Sequence, residues 1–162
     1  PLFSADQVVR KLYQKNDFKK KIVKKFKIKS LSSVKKTLID KILKDKSNIR
    51  KLEKIIHPLV RENMRKFIKK NKGKKLVFFE IPLLIESNLM KNFDVIFYIK
   101  AKKDIRLKRF KMKGGNKALF EVLNKKQLPD KKKSKYCDHI IVNEKNIKIL
   151  KKNLLNIFKR YE

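Results

Sequence analysis

The side chains able to do chemistry fall in a few short stretches. Glu80-Ile81-Pro82-Leu83-Leu84-Ile85-Glu86 leaves a near-continuous apolar run and carries two carboxylates around a proline. If that run is a buried strand, the segment lies at its carboxyl end, where open parallel sheets bind ligands. The plainer alternative is that Pro82 stops the strand and Glu86 caps or solvates the next helix. Arg106, Arg109 and Lys113 stand at i, i+3 and i+7, which places all three on one face of a helix. Such a face suits polyphosphate, because phosphoryl transfer spreads negative charge over several oxygens that cations must stabilise. In a lysine-rich chain the same face could simply be solvated. Asp6 stands between a short apolar entry, Leu2-Phe3, and the first helical pattern. A carboxylate there could take a hydroxyl proton or help position a metal, or could be only a first-turn acid favoured by the helix dipole. His57 lies among Ile55, Ile56, Leu59 and Val60, the usual setting of a core or turn histidine, and Cys137 reads as a small buried hydrophobe.

The elements that must position these residues follow from periodicity. From about Gln7 to Lys70 apolar residues recur at helical spacing, as in Val8, Val9, Leu12, Tyr13 and again in Leu38, Ile39, Ile42, Leu43. This predicts a string of amphipathic helices. Ser32-Ser33 and Ser47-Asn48 are N-cap candidates, Pro58 is expected to kink or restart the helix around it, and Asn71-Lys72-Gly73-Lys74 closes the region. The period then changes. Lys75–Ile81 and Asp94–Ile99 are apolar runs of the length of strands buried on both faces, and His139–Val142 is a third candidate. With no Asn-Gly or Asp-Gly hairpin turn between them, the pattern predicts a parallel α/β sheet. The very basic segment Lys102–Lys135 lies between the last two strands, and Ile147, Leu150, Leu154, Ile157 and Phe158 predict a C-terminal helix.

Composition bounds the function classes. The chain has 162 residues and a formal net charge of +33, a value that ordinarily points to nucleic acid or an anionic membrane surface. Arginine, the better residue for base edges and phosphates, occupies only seven of 48 basic positions. The lysines look like coding bias. There is no tryptophan, no reader motif, and no aromatic interleaving on a basic stripe. Lysine also interrupts every apolar stretch before it reaches the length of a membrane span. One cysteine and two histidines offer no internal disulfide and no metal-ligand cluster. A soluble protein of the reducing cytoplasm, with no specific nucleic-acid partner and no membrane partner, is expected.

Taken together the segments are far more specific than any one alone. Ser4-Ala5-Asp6, Leu52-Glu53-Lys54-Ile55-Ile56-His57-Pro58, Pro82-Leu83-Leu84-Ile85-Glu86, Arg109 to Lys113, Gln127, and Cys137-Asp138-His139-Ile140-Ile141-Val142-Asn143 occur in an order and spacing that resembles dephospho-CoA kinase. The resemblance runs from Pro1 to the C-terminal helix. It implies transfer of the γ-phosphoryl group of ATP, with Mg2+, to the ribose 3′-hydroxyl of dephospho-CoA, the last step of coenzyme A synthesis. It implies that Asp6 is the base, Ser4 replacing an aspartate of the family pattern. Arg109 matches a lid arginine on the ATP phosphates. Lys113 replaces a second arginine, supplying charge without a bidentate fork, and Arg106 stands where glutamine is common. His57, Pro82, Leu83, Leu84 and Glu86 match the CoA-side pocket, and Asn143 the adenine end. Asp138 is matched, while Cys137 replaces a usual alanine.

One family feature is missing. No Gly-x-x-x-x-Gly-Lys-[Ser/Thr] loop occurs among these residues, and Gly73, Gly114 and Gly115 cannot supply it. In the family the loop precedes the position of Asp6, so a strand–loop–helix unit of roughly 30 residues is expected upstream, and the chain as given is expected to be nearly inactive. The expected fold is α/β, a three-layer P-loop kinase core with a parallel sheet, an inserted helical acceptor-binding lobe and a basic lid. In one domain spanning 1–162, the core takes about 1–8, 74–105 and 138–162, the lobe about 9–73 and the lid about 106–137. The rival readings are a catalytically silent binder of CoA-type ligands, another nucleotide kinase, and a nucleic-acid-binding module.

Overall fold

The computed structural model describes residues 1–161, which divide into two compact units, Pro1–Pro82 and the chain from Leu83 onward. The first unit begins with strand β1 (Leu2–Ser4), which turns directly into helix α1 (Ala5–Leu12). The turn is made by Ser4, an extended residue whose buried Oγ accepts a hydrogen bond from the Gln7 N–H at 3.4 Å. A serine at that position satisfies one of the unpaired N–H groups of the first helical turn. Three more helices follow: α2 (Asn16–Phe26), α3 (Val34–Lys44) and α4 (Ser47–Lys70). Lys27 closes α2 in the left-handed region, at φ 49°.

The core of this unit takes in Leu12, Leu38 and Ile42 from the helical pattern, while Val8, Val9, Tyr13, Ile39 and Leu43 are half-buried. Leu12, Phe18, Ile22, Phe26, Val34, Leu38, Ile42, Ile49 and Met64 are all buried, Ile22 completely. Phe3, Phe67 and Phe79 pack ring against ring, with centroids 5.6 to 5.8 Å apart, and so hold β1 and α4 to strand β2 (Phe78–Glu80). β1 and β2 run parallel, with Leu2 opposite Phe78 and Ser4 opposite Glu80. Pro58 does not restart the helix, because α4 is continuous through it. A 24-residue helix packed through Ile49, Met64 and Phe67 tolerates one missing backbone bond, the one that the Lys54 carbonyl loses because proline has no N–H.

The second unit carries a turn of 3₁₀ helix (Met90–Asn92), β3 (Phe97–Lys100), α5 (Lys103–Met112), α6 (Lys117–Asn124), α7 (Asp130–Ser134), β4 (His139–Val142) and α8 (Ile147–Phe158). β3 and β4 are again parallel, with Phe97 opposite His139 and Lys100 opposite Val142. Asn116 and Asn146 cap α6 and α8 by accepting from Leu119 N–H at 2.8 Å and Ile149 N–H at 3.0 Å. The Gly114-Gly115 pair makes the turn after α5. Gly114 has φ +83°, and a Cβ on Gly115 would overlap the Phe110 ring.

The fold class is the expected α/β with parallel pairing, but the strands are shorter and less buried than their apolar runs predict. Each sheet holds two strands. Ile99, Ile140 and Val142 are exposed. β1, only three residues long, is below the length at which a sequence pattern announces a strand. Among the described residues no helix is long and apolar enough to cross a membrane.

Candidate functional site

In the first unit, chemistry gathers where β1 and β2 end. Asp6 lies in the first turn of α1, exposed, two residues beyond the last residue of β1. The positive end of a helix favours the charged form of a carboxylate there. The Ser4–Glu80 register brings the exposed Glu80 to the same end of the strand pair. Ser4 itself is buried and spent on the cap.

A second feature of this unit is an open groove of about 460 Å³ along α4, lined by Arg50, Glu53, Lys54, His57, Pro58 and Arg61. These positions follow helical spacing, so one face of one helix presents three cations, a carboxylate and an imidazole. The Lys54 carbonyl, deprived of its helical donor by Pro58, belongs to the same stretch. His57 is therefore a groove residue, half-buried, and not part of the apolar core. Arg50 and Arg61 escape a motif-by-motif reading. Their signal is scarcity combined with period: two of the few arginines flank His57 at helical intervals.

In the second unit, two of the residues expected at the site meet from distant parts of the chain. The Arg109 guanidinium donates from Nη1 to the Asn143 carbonyl at 2.8 Å, at the carboxyl end of β4. Asn143 is itself fixed by its N–H, which donates to the Lys100 carbonyl at 2.7 Å. Arg106 does not face outward. Its Nε donates to the Ala101 carbonyl at 3.1 Å, its Nη1 to Asn124 Oδ1 at 2.8 Å, and the guanidinium lies 5.9 Å from the Phe120 ring centroid. It ties α5 to α6. Lys113, exposed, is the residue that ends α5, beyond its last helical turn. Asp138 accepts the Ile96 N–H at 2.7 Å and so sets where β3 and β4 begin to pair.

Pro82 is exposed, and Leu83 and Leu84 are half-buried in a turn closed by bonds from Ser87 N–H to the Leu83 carbonyl and from Leu89 N–H to the Leu84 carbonyl. Glu86 is engaged: Oε1 lies 3.1 Å from Lys133 Nζ and accepts the Leu128 N–H at 2.8 Å. Lys133, in a run of three lysines, carries no sequence mark to set it apart from its neighbours. Burial pushes the Tyr98 hydroxyl above the usual tyrosine range, helped by its hydrogen bond to Asp130 at 2.7 Å. The Cys137 thiol is raised chiefly by burial and further by Asp138, and it donates to the Lys133 carbonyl.

Strand ends that open into helices, with Asp6 beyond β1 and Arg109 bound to the backbone beyond β4, are those of a parallel α/β protein, a class that binds ligands at the carboxyl ends of its strands. A family model described as dephospho-CoA kinase matches residues 1–148. A dephospho-CoA kinase of Bartonella quintana is 35% identical over 151 residues, covering 90% of this chain and 77% of that one. Among solved structures, TT1252 from Thermus thermophilus superposes with TM-score 0.72 at 21% identity, over 99% of this chain and 84% of that one. Dephospho-CoA kinase from Campylobacter jejuni gives 0.62 at 23% identity, over 98% and 83%. The chain belongs to the dephospho-CoA kinase family.

Proposed function

We propose that the chain serves the ATP-dependent phosphorylation of the 3′-hydroxyl of dephospho-CoA, giving coenzyme A in the cytoplasm. The observation that carries this reading is the bond from Arg109 to the Asn143 carbonyl, which joins the residue assigned to the ATP phosphates to the residue assigned to its adenine end. Asp6 accepts the proton of the 3′-hydroxyl as that oxygen attacks the γ-phosphorus. The bond from the γ-phosphorus to the ADP oxygen breaks, and Arg109 and Lys113 neutralise charge on the transferring group. The cationic groove of α4 around His57 takes the anionic parts of the acceptor. Pro82, Leu83 and Leu84 contribute to acceptor binding, and Glu86 contributes through the chain it holds.

Mg2+ supplies charge neutralisation when it arrives with the ATP phosphates. Among the described residues no three His, Cys, Asp or Glu side chains group to hold a metal, so these residues do not form a cage of their own and no step is assigned to the ion. Likewise, these 162 residues contain no glycine-rich phosphate loop, and turnover by them alone is slow in this reading.

The test is single-turnover transfer from labelled ATP to dephospho-CoA by these residues joined to an upstream strand–loop–helix unit that carries the glycine-rich phosphate loop. Asp6→Asn should lower the transfer rate about 10²- to 10⁴-fold, the range for loss of a general base, with dephospho-CoA affinity changed less than about threefold, since the groove of α4 is untouched. Equal transfer by the variant would remove Asp6 from its role. Phosphorylation of nucleoside monophosphates with dephospho-CoA ignored would favour another nucleotide kinase.

A further inference from the structure

We infer that Glu86 and Lys133 form a positioning lock for the arginine-bearing helix α5, an inference that rests on the reading of Arg109 as a nucleotide-binding residue. Lys133 is buried, with 5% of its surface exposed, although it sits in a five-residue helix that could not hold itself in water. A lysine is buried only when its charge is met. Here the Nζ is 3.1 Å from Glu86 Oε1 and 3.1 Å from Gln127 Oε1, and 5.7 Å from the Tyr98 ring centroid. The same α7 is fastened to β3 by Tyr98 donating to Asp130, whose other oxygen is 3.7 Å from Lys100 Nζ.

From this lock an unbroken path leads to Arg109. Glu86 Oε1 also accepts the Leu128 N–H at 2.8 Å. The adjacent Gln127 N–H donates to the Asn124 carbonyl, closing the end of α6. The Asn124 side chain accepts from Arg106, which stands one turn before Arg109 on α5. The links are hydrogen bonds and an ion pair joined by short stretches of continuous chain, Gln127-Leu128 and the turn of α5 from Arg106 to Arg109, all within the second unit. The carboxylate of Glu86 thus does its work at a distance: it fixes the segment from α6 to α7, that segment fixes α6, and α6 holds α5 so that Arg109 reaches the Asn143 carbonyl.

The experiment uses the full chain and two readouts that need no ligand: hydrogen exchange at the Leu128 amide and the side-chain N–H resonances of Arg109. Glu86→Gln and Lys133→Met should each speed Leu128 exchange about 100-fold, because each leaves a buried group uncompensated. Both should also broaden or shift the Arg109 signal, while amides of β3 and β4 keep their protection. The double variant should exchange no faster than either single one, the mark of coupled partners, and Lys133→Arg should restore protection. Uniform loss of protection over β3 and β4 would make the pair a general support and overturn the inference. So would an Arg109 signal unchanged in both single variants, or additive effects in the double variant. Where Arg109→Ala leaves ATP affinity unchanged in a chain supplied with the phosphate loop, the nucleotide role of Arg109 fails, and these readouts still decide whether the lock positions it.

Discussion

At the residue scale, context and not residue type separates Arg106 from Arg109. Arg106 and Arg109 sit one turn apart in sequence, yet Arg106 is consumed by Ala101, Asn124 and Phe120, whereas Arg109 spans to the strand-end residue Asn143. Spacing alone cannot tell these apart, because both satisfy the same helical face. Tyr98 shows how burial acts on a titrating group. Its hydroxyl is raised above the ordinary tyrosine value, first by burial and then by its bond to Asp130. Below the ordinary value both folded and unfolded chains keep the proton. Above it, the unfolded chain releases the proton first, so the stability that Tyr98 contributes falls as pH rises from about 10 toward the folded value. Tyr98 should therefore gain phenolate absorbance late on alkaline titration, above the ordinary tyrosine range, and Tyr98→Phe should diminish that late step. A late step undiminished in the variant would assign it to another tyrosine, such as Tyr13, whose hydroxyl burial also raises.

At the element scale, the helices were legible and the sheets only partly so. Of the residues that helical period picks out, Leu12, Leu38 and Ile42 are buried and Val8, Val9, Tyr13, Ile39 and Leu43 half-buried. Substituting Ile22→Ala, at a site with no solvent exposure, should destabilise by about 2–5 kcal/mol, read as a lower urea midpoint. A loss under about 1 kcal/mol would mean that the surrounding helices collapse onto the gap. β1 was invisible because three residues hold too little pattern, and it exists through pairing with β2 and the Phe3–Phe67–Phe79 cluster. Pro58 misleads for the opposite reason: its local penalty is real, but tertiary packing of α4 outweighs it. Lys133 was illegible among identical neighbours, since the signal that distinguishes it is the carboxylate of Glu86, 47 positions away along the printed chain. Asp6, Arg109 and Lys113 stood out by type and spacing, the roles expected of them and of Asn143 came only from the chain-wide resemblance, and it is the structure that lines His57 up with Arg50 and Arg61.

At the scale of the whole molecule, +33 charges on 162 residues repel one another, and that repulsion opposes compaction. Salt should relieve it. Raising NaCl from ~0.05 to ~0.5 M shortens the screening length from above 10 Å to a few ångströms, so the melting temperature should rise by about 2–4 °C, the shift expected for ~1 kcal/mol in a chain of this size. A fall would show that the ion pairs of the second unit, such as Glu86–Lys133, outweigh the general repulsion. The same charge makes the rival reading testable, because a polycation attracts any polyanion, whereas an acceptor site built on α4 discriminates by shape and chemistry. Calorimetric titration of the chain with dephospho-CoA, repeated with Arg50→Ala and Arg61→Ala and alongside a DNA duplex, is the most direct measurement. The account predicts saturable one-to-one binding of dephospho-CoA that each arginine substitution weakens about tenfold, on the order of 1–2 kcal/mol for a charge-assisted contact. No saturable binding of dephospho-CoA, with tight and salt-sensitive binding of the duplex in its place, would contradict it.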